Sequence, residues 1–380
     1  MHTSASRWVA GCMTGTSLDG LDVALAEIAG HGRAMTARFA GHVSVPLPDA
    51  LRTTLHALAA GAPSPPNACL RAARALGELH ADGVAHLCEQ HLPADASLAF
   101  VAAHGQTICH APAERLSWQL FDPWPVVRRL HVPVVYDLRQ ADLVAGGEGA
   151  PITPLADWVL YRDAHRPRFI VNLGGVCNIT TLPADATPEQ VRGGDVGLCN
   201  LLIDGCVQRL FPGQRYDHNG TLAAQGQPDR QKLNLIAMDD DLDLDTRTLG
   251  REQLPASALD RLIIALRAEL SPNDILATAV EAVAAMVAVH TGDVDRPWQI
   301  VLAGGGARNP VLVDRIRDNV DPAHEVSTSD DLGIPVEARE ALGFAVLGTL
   351  CADGVPITLP EVTGSDTPGV AGAWAGGGNR

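Results

Sequence analysis

The chain has 380 residues, 46% of them hydrophobic, which is more apolar material than one core uses and enough for two domains. Its 44 acidic against 28 basic residues give a formal charge of −16, which argues against nonspecific binding of a polyanion and so against nucleic acid as a partner. Lys232 is the single lysine, so a site that handles phosphate must rely on backbone N–H groups, arginine or a divalent cation.

The N-terminus runs into the strand-like Trp8-Val-Ala-Gly-Cys-Met without an apolar export region. A glycine-rich polar turn follows, and then a second strand, Leu21-Asp-Val-Ala-Leu-Ala-Glu-Ile. Helical periodicity spans Cys69 to Gln90, and strands are expected at Leu98 to Ala103 and Val132 to Tyr136. Arg168-Phe-Ile-Val-Asn-Leu, Gly174-Gly175 and Val176-Cys-Asn-Ile-Thr-Thr-Leu then repeat the opening pattern of strand, glycine turn and strand. Such a recurrence suggests a duplicated α/β architecture with a phosphate-facing hairpin in each half. Further on come a long helix over Asp274 to His290, a strand Gln299-Ile-Val-Leu-Ala, the triplet Gly304-Gly305-Gly306 and a helix over Pro335 to Leu350. The Gly- and Ala-rich tail from Thr367 to Arg380 reads as disordered.

The most apolar stretch, Ala279 to Val289, is interrupted by Glu281, so no membrane span is expected, and a cytoplasmic location follows. The eight cysteines form no C-x-x-C pair and none of the usual zinc spacings, consistent with free thiols in a reducing compartment.

Two loops carry the signs of phosphate chemistry. Gly11-Cys-Met-Thr-Gly-Thr-Ser-Leu-Asp-Gly-Leu-Asp22 gathers hydroxyls, glycines and two carboxylates between strands, where N–H groups can face phosphate and a carboxylate can hold hydrated Mg²⁺. The ordinary alternative is a hairpin turn, for which Asp-Gly is a standard signal. Gly304-Gly-Gly-Ala-Arg-Asn309 follows a buried strand and precedes a helix, so its backbone can pass close to a nucleotide. Neither the G-x-G-x-x-G fingerprint nor a P-loop occurs in the chain.

Taken in order, Gly15-Thr-Ser-Leu-Asp-Gly-Leu-Asp22, His104-Gly-Gln-Thr, Asp137-Leu-Arg-Gln-Ala-Asp142, Gly146-Gly-Glu-Gly-Ala-Pro151, Asn172-Leu-Gly-Gly-Val-Cys-Asn-Ile-Thr180 and Gly304-Gly-Gly-Ala-Arg-Asn309 resemble the successive signatures of the anhydro-N-acetylmuramic acid kinase family. Gly250-Arg-Glu252, Glu340-Ala-Leu-Gly-Phe-Ala345 and Leu359-Pro-Glu-Val-Thr-Gly364 extend the similarity over roughly residues 8 to 365. The resemblance implies two lobes of duplicated actin-like (ribonuclease H-like) fold, residues 1–163 and 164–366, with an ATP cleft between them. It also implies a cytoplasmic homodimer that uses ATP and Mg²⁺ in cell-wall sugar recycling, opens the 1,6-anhydro ring of its sugar with water and phosphorylates the released O6.

The site residues follow position by position. Asp195, in Asp195-Val-Gly-Leu-Cys-Asn200, matches the family's catalytic base. Gly15, Thr16, Ser17, Asp19, Gly20, Asp22, Gly174, Gly175, Gly304, Gly305, Gly306 and Asn309 match its nucleotide and phosphate loops, with Asp19 reaching the metal through water. His104, Gln106, Arg139, Asp142 and Glu340 are the expected sugar ligands. Ordinary readings stand beside these: a structural hydrogen bond for His104, an ion pair with Asp137 or Asp142 for Arg139, and an exposed helix carboxylate for Glu340.

The chain departs from the family pattern at Val196, Leu198 and Cys199 after the base, at Leu138, at Asp157 where a histidine is usual, at Arg247-Thr-Leu-Gly-Arg-Glu252, and at Phe121 where glycine is usual. These changes suggest an altered sugar pocket. An ordinary sugar or polyol kinase, and a noncatalytic sugar- or nucleotide-sensing protein, are the rival readings.

Overall fold

The computed structural model describes residues 6–15, 18–237, 256–292 and 294–376. Thr16 and Ser17 of the first glycine turn, and the Arg247 to Glu252 motif, lie outside the described residues.

The chain separates into two compact units, residues 1–162, 186–192 and 337–380 forming the first and residues 163–185 and 193–336 the second. In the first unit β1 (Arg7–Thr14), β2 (Gly20–Ala29) and β3 (Thr36–Pro46) form an antiparallel meander. On the other side of β1, β4 (Leu98–Ala103) adds in parallel. The small hairpin of β5 (Gln106–Ala111) and β6 (Leu116–Leu120) leaves the sheet, and β7 (Val134–Tyr136) pairs in parallel with β4. The second unit repeats the scheme with β8 (Arg168–Leu173), β9 (Val176–Leu182), β10 (Arg192–Leu198), β11 (Gln299–Ala303) and β12 (Glu325–Thr328).

Strand order is β3-β2-β1-β4-β7 in the first sheet and β10-β9-β8-β11-β12 in the second. In both, the first two strands are antiparallel and the two parallel additions lie on the far side of the first. This is the duplicated ribonuclease H-like α/β fold. The first strand of each unit lies at the centre of its sheet, and β8 is accordingly buried at all six positions.

Helices cover the sheets. Ala81, Val84 and Leu87 of the Pro66–His91 helix close a core over β1 and β2 of the first unit. In the second unit the Pro272–Thr291 helix contributes Ile275, Leu276, Val280, Val283 and Val287 to the main core. Its length and mean hydropathy of 1.5 would suit a membrane span, yet its apolar face is used inside the unit.

The C-terminal segment departs from the sequence expectation. Residues from Glu337 onward belong to the first unit, not the second. The Arg339–Ala352 helix is buried from Ala341 to Cys351 and lies directly on β1, where Gly11 has no side chain to hold it away. It starts at Arg339 and not near Pro335, because the Val336 N–H donates to Asp330 Oδ1 at 3.0 Å and the Val336 carbonyl accepts from Gly304 N at 2.8 Å. The tail expected to be disordered instead forms β13 (Ala373–Ala375), antiparallel to β7, with Trp374 edge-on to Phe100 at 5.5 Å. Residues 377–380 lie outside the described part of the chain.

Candidate active site

In each unit the carboxyl ends of the first and fourth strands meet, the place where parallel α/β sheets bind ligands. In the first unit β1 ends at Thr14 and β4 runs into His104-Gly105-Gln106. Thr14 Oγ1 donates to Gly105 O at 2.8 Å, tying the two ends together. The intervening turn carries Gly15, Asp19 and Gly20, with Leu18 N donating to Gly15 O at 3.2 Å and the Leu18 side chain buried as its anchor. Asp19 is exposed at the tip. On β2, Asp22 Oδ1 accepts from Ser44 Oγ and contacts His42 Nε2 at 3.1 Å on the neighbouring strand.

His104 is 3% exposed, with both ring nitrogens engaged. Nδ1 donates to Gly105 O at 2.9 Å, and Nε2 accepts from Arg139 Nε at 2.9 Å. Those partners select the neutral Nδ1–H tautomer. Burial first, and the Arg139 charge second, hold the pKa of this histidine well below its ordinary value. Arg139 Nη1 also donates to Gly149 O at 2.8 Å, so neither ion pair considered for it from sequence accounts for these contacts.

Gln106 is buried, and its Oε1 has no hydrogen-bond partner among the described residues. Asp142, read as a sugar ligand, is instead committed to the fold: Oδ2 accepts from Gly149 N and Oδ1 from Thr363 Oγ1, each at 2.8 Å. Glu340 lies in the first turn of the Arg339–Ala352 helix. Burial raises its pKa, Arg339 and Arg139 oppose the shift, and the charges of Asp22 and Asp157 add to it. Its neighbour Arg339 forms a forked ion pair with Asp157, both side chains nearly inaccessible. The aspartate that replaces the family's usual histidine therefore has a buried partner.

Phe121 lies beside the His104-Gly105-Gln106 loop, its Cβ 3.0 Å from the place of a Cβ added at Gly105. Its ring packs against His80 at 4.8 Å and Tyr136 at 6.0 Å, beside the first-unit core.

The second unit places its own loops at the equivalent strand ends. Gly174 and Gly175 form the β8–β9 turn, and their carbonyls accept from Asn200 N and Cys199 N, both at 3.0 Å. Gly304 follows β11 with φ +81°, and a Cβ there would lie 2.6 Å from Asn172 Oδ1. At Gly306 a Cβ would be 2.8 Å from that of Leu173, whereas Gly305 faces open space. Only a backbone without side chains can pack this closely and still leave an open face. Asn309 is the N-cap of the Pro310–Asn319 helix, its Oδ1 accepting from Val311 N and Leu312 N.

Asp195 lies on β10, partly buried and close enough to Cys177 that its charge adds to the burial already raising that thiol's pKa. Leu198 and Cys199 are buried in the second-unit core, with Val196 packed against it. The departures after Asp195 thus fill the interior. Thr14, Asn172 and Asn200, whose polar atoms lie at these strand ends, fall inside the quoted motifs but were given no role from sequence.

Two ribonuclease H-like units with glycine turns at matching strand ends place the chain in the actin-like class. The anhydro-N-acetylmuramic acid kinase profile matches residues 7–376, and the chain belongs to that family. It is 35% identical over 379 residues to the anhydro-N-acetylmuramic acid kinase of Salinibacter ruber, covering 96% of this chain and 95% of the relative. The kinase of that name from Gloeobacter violaceus is 37% identical over 362 residues, covering 93% of this chain and 95% of the relative.

Proposed function

We propose that the protein is an ATP-dependent kinase that opens the 1,6-anhydro ring of anhydro-N-acetylmuramic acid, or of a related anhydrosugar, and phosphorylates O6. Water adds at C1 as the C1–O6 bond breaks, and the released O6 takes the γ-phosphoryl group of ATP. Asp195 accepts the proton of the attacking water. Gly15, Gly20, Gly174, Gly175 and Gly304 to Gly306 offer backbone to the nucleotide, with Thr16 and Ser17 assigned to the same role from sequence alone.

Gln106, Arg139 and Glu340 bind the sugar. The observation that carries this reading is the buried, unpartnered Oε1 of Gln106, two residues from the histidine that fixes Arg139. Such an acceptor is costly unless a ligand hydroxyl satisfies it. The Arg139 guanidinium suits the carboxylate of a muramic acid.

Mg²⁺ would enter with the nucleotide and supply charge stabilisation at the phosphates. The described residues contain no group of three His, Cys, Asp or Glu that could cage a metal, while Asp19 is an exposed carboxylate at the first turn. That donor set fits a hydrated ion held mainly by phosphate oxygens, with Asp19 reaching it through water. We assign the enzyme to cytoplasmic recycling of cell-wall sugar, as a homodimer.

Incubation with ATP and anhydro-N-acetylmuramic acid in ¹⁸O-water tests the reaction. The expected product is a 6-phosphate with solvent oxygen at C1. Release of ADP with no label at C1 would identify an ordinary sugar kinase, and sugar binding with no ADP formed would identify a sensor.

A further inference from the structure

We infer that Thr363 and Asp142 are positioning residues for Arg139, acting through a buried chain of hydrogen bonds that ends at the first phosphate turn. The inference rests on the reading of Arg139 as the sugar-carboxylate ligand. Thr363 Oγ1 donates to Asp142 Oδ1, Gly149 N donates to Asp142 Oδ2, and Arg139 Nη1 donates to Gly149 O, each at 2.8 Å. Arg139 Nε then meets His104 Nε2, and His104 Nδ1 shares Gly105 O with Thr14 Oγ1.

Thr363 stands 221 residues from Asp142 in sequence, on the short Pro360–Thr363 helix. It is 1% exposed, as is Asp142. The same segment is pinned to the glycine loop by Glu148 N donating to Thr363 O at 2.9 Å and Asp366 N donating to Ala145 O at 3.0 Å. Each member of the chain has the donor or acceptor its neighbour needs. Asp142 accepts twice, the Gly149 peptide donates at N and accepts at O, and neutral His104 accepts from Arg139 while donating onward. Two guanidinium nitrogens are thereby fixed in direction. A forked contact with a carboxylate depends on that direction, whereas nucleotide binding does not.

The test compares the full-length enzyme with Thr363→Val and Thr363→Ser. Two sugars are used, anhydro-N-acetylmuramic acid and the corresponding 1,6-anhydro-N-acetylglucosamine, which lacks the lactyl carboxylate. Thr363→Val should raise KM for the carboxylate sugar about tenfold, the scale of one misaligned charge-assisted hydrogen bond. KM for ATP and for the carboxylate-free sugar should stay within about twofold, and Thr363→Ser should restore the wild-type value.

The Arg139 Nε–H resonance, assigned by its loss in Arg139→Lys, should be protected from exchange in wild type and in Thr363→Ser and unprotected in Thr363→Val. A folded Thr363→Val enzyme with wild-type KM and a protected Nε–H overturns the inference. If wild type phosphorylates neither sugar, the functional reading fails and the exchange measurement alone decides the chain. Asp142→Asn reads the same link if Thr363→Val does not fold, with retained protection counting against it.

Discussion

Replacing His80 with leucine should remove one proton from the acid unfolding of the first unit. His80 is fully buried in the Pro66–His91 helix, with Nδ1 donating to Leu76 O at 2.7 Å and no partner for Nε2 among the described residues. Burial lowers its pKa from 6.5 to about 4, only partly offset by the Leu76 carbonyl. A depressed histidine is neutral in the folded state over a range where the unfolded chain is already protonated. Its stabilising contribution is therefore complete above pH 6.5, declines as pH falls from 6.5 to about 4, and is lost in full below that.

Within that window the slope approaches about 1.4 kcal/mol per pH unit, so the cost between pH 7 and pH 5 is about 2 kcal/mol. Leucine cannot titrate, and it also removes the unpaired Nε2, so the variant should match wild type near neutrality to within about 1 kcal/mol. Denaturant unfolding of both proteins from pH 8 to pH 4.5 gives the difference directly, because the carboxylate contributions are common to both. His104 and His110, the latter also lowered to about 4 by burial and then by Arg139, remain in the variant, so its acid limb should be shallower but not flat. An unchanged slope in His80→Leu would refute the linkage.

Asp195→Asn keeps size but cannot take a proton, so kcat should fall by about two to four orders of magnitude while sugar and ATP binding persist. A stable, binding-competent variant with near-normal kcat would remove Asp195 as the base. Asp19→Ala should weaken use of ATP at limiting Mg²⁺ more than it weakens sugar binding, and unchanged kinetics there would take Asp19 out of the site. Gly304→Ala forces a side chain into a φ of +81° and toward Asn172 Oδ1, so it should lower Tm and raise KM for ATP; a normal Tm would show that the loop can shift.

The two glycine turns were legible in the sequence because short apolar runs on both sides mark strands and the glycines between them mark a turn. The duplication was legible for the same reason. The Arg339–Ala352 helix was harder to assign, since residues from Ala341 to Cys351 are buried on every side and so offer no polar face to show which sheet they cover. β13 is three residues long, too short to show a period.

Asp22, Asp142 and Asn309 illustrate a different limit. A carboxylate or amide beside glycines has the same sequence signature whether its oxygens meet phosphate, a backbone N–H or a neighbouring hydroxyl. Here Asp142 takes Gly149 N and Thr363 Oγ1, and Asn309 takes two helix N–H groups. Phe121 meets a related limit: the sequence shows a gain of volume, but only the packing shows that His80, Tyr136 and the Gly105 backbone surround it.

The repeated strand order explains why the chemical groups fall where they do. In each unit the first strand ends in a glycine turn, and the loop after the fourth strand returns beside that end. In the first unit this loop is His104-Gly105-Gln106, joined to Thr14 by a side-chain hydrogen bond; in the second it is Gly304-Gly305-Gly306, resting on Asn172 and Leu173. The topology is shared, but the side chains are not. One position has acquired a buried amide and a histidine that fixes an arginine, groups suited to hydroxyls and a carboxylate, while the other has lost its side chains and presents backbone. Duplication therefore supplies the same geometric opening twice, and under the proposed function the three residues at each opening suit it to a different ligand.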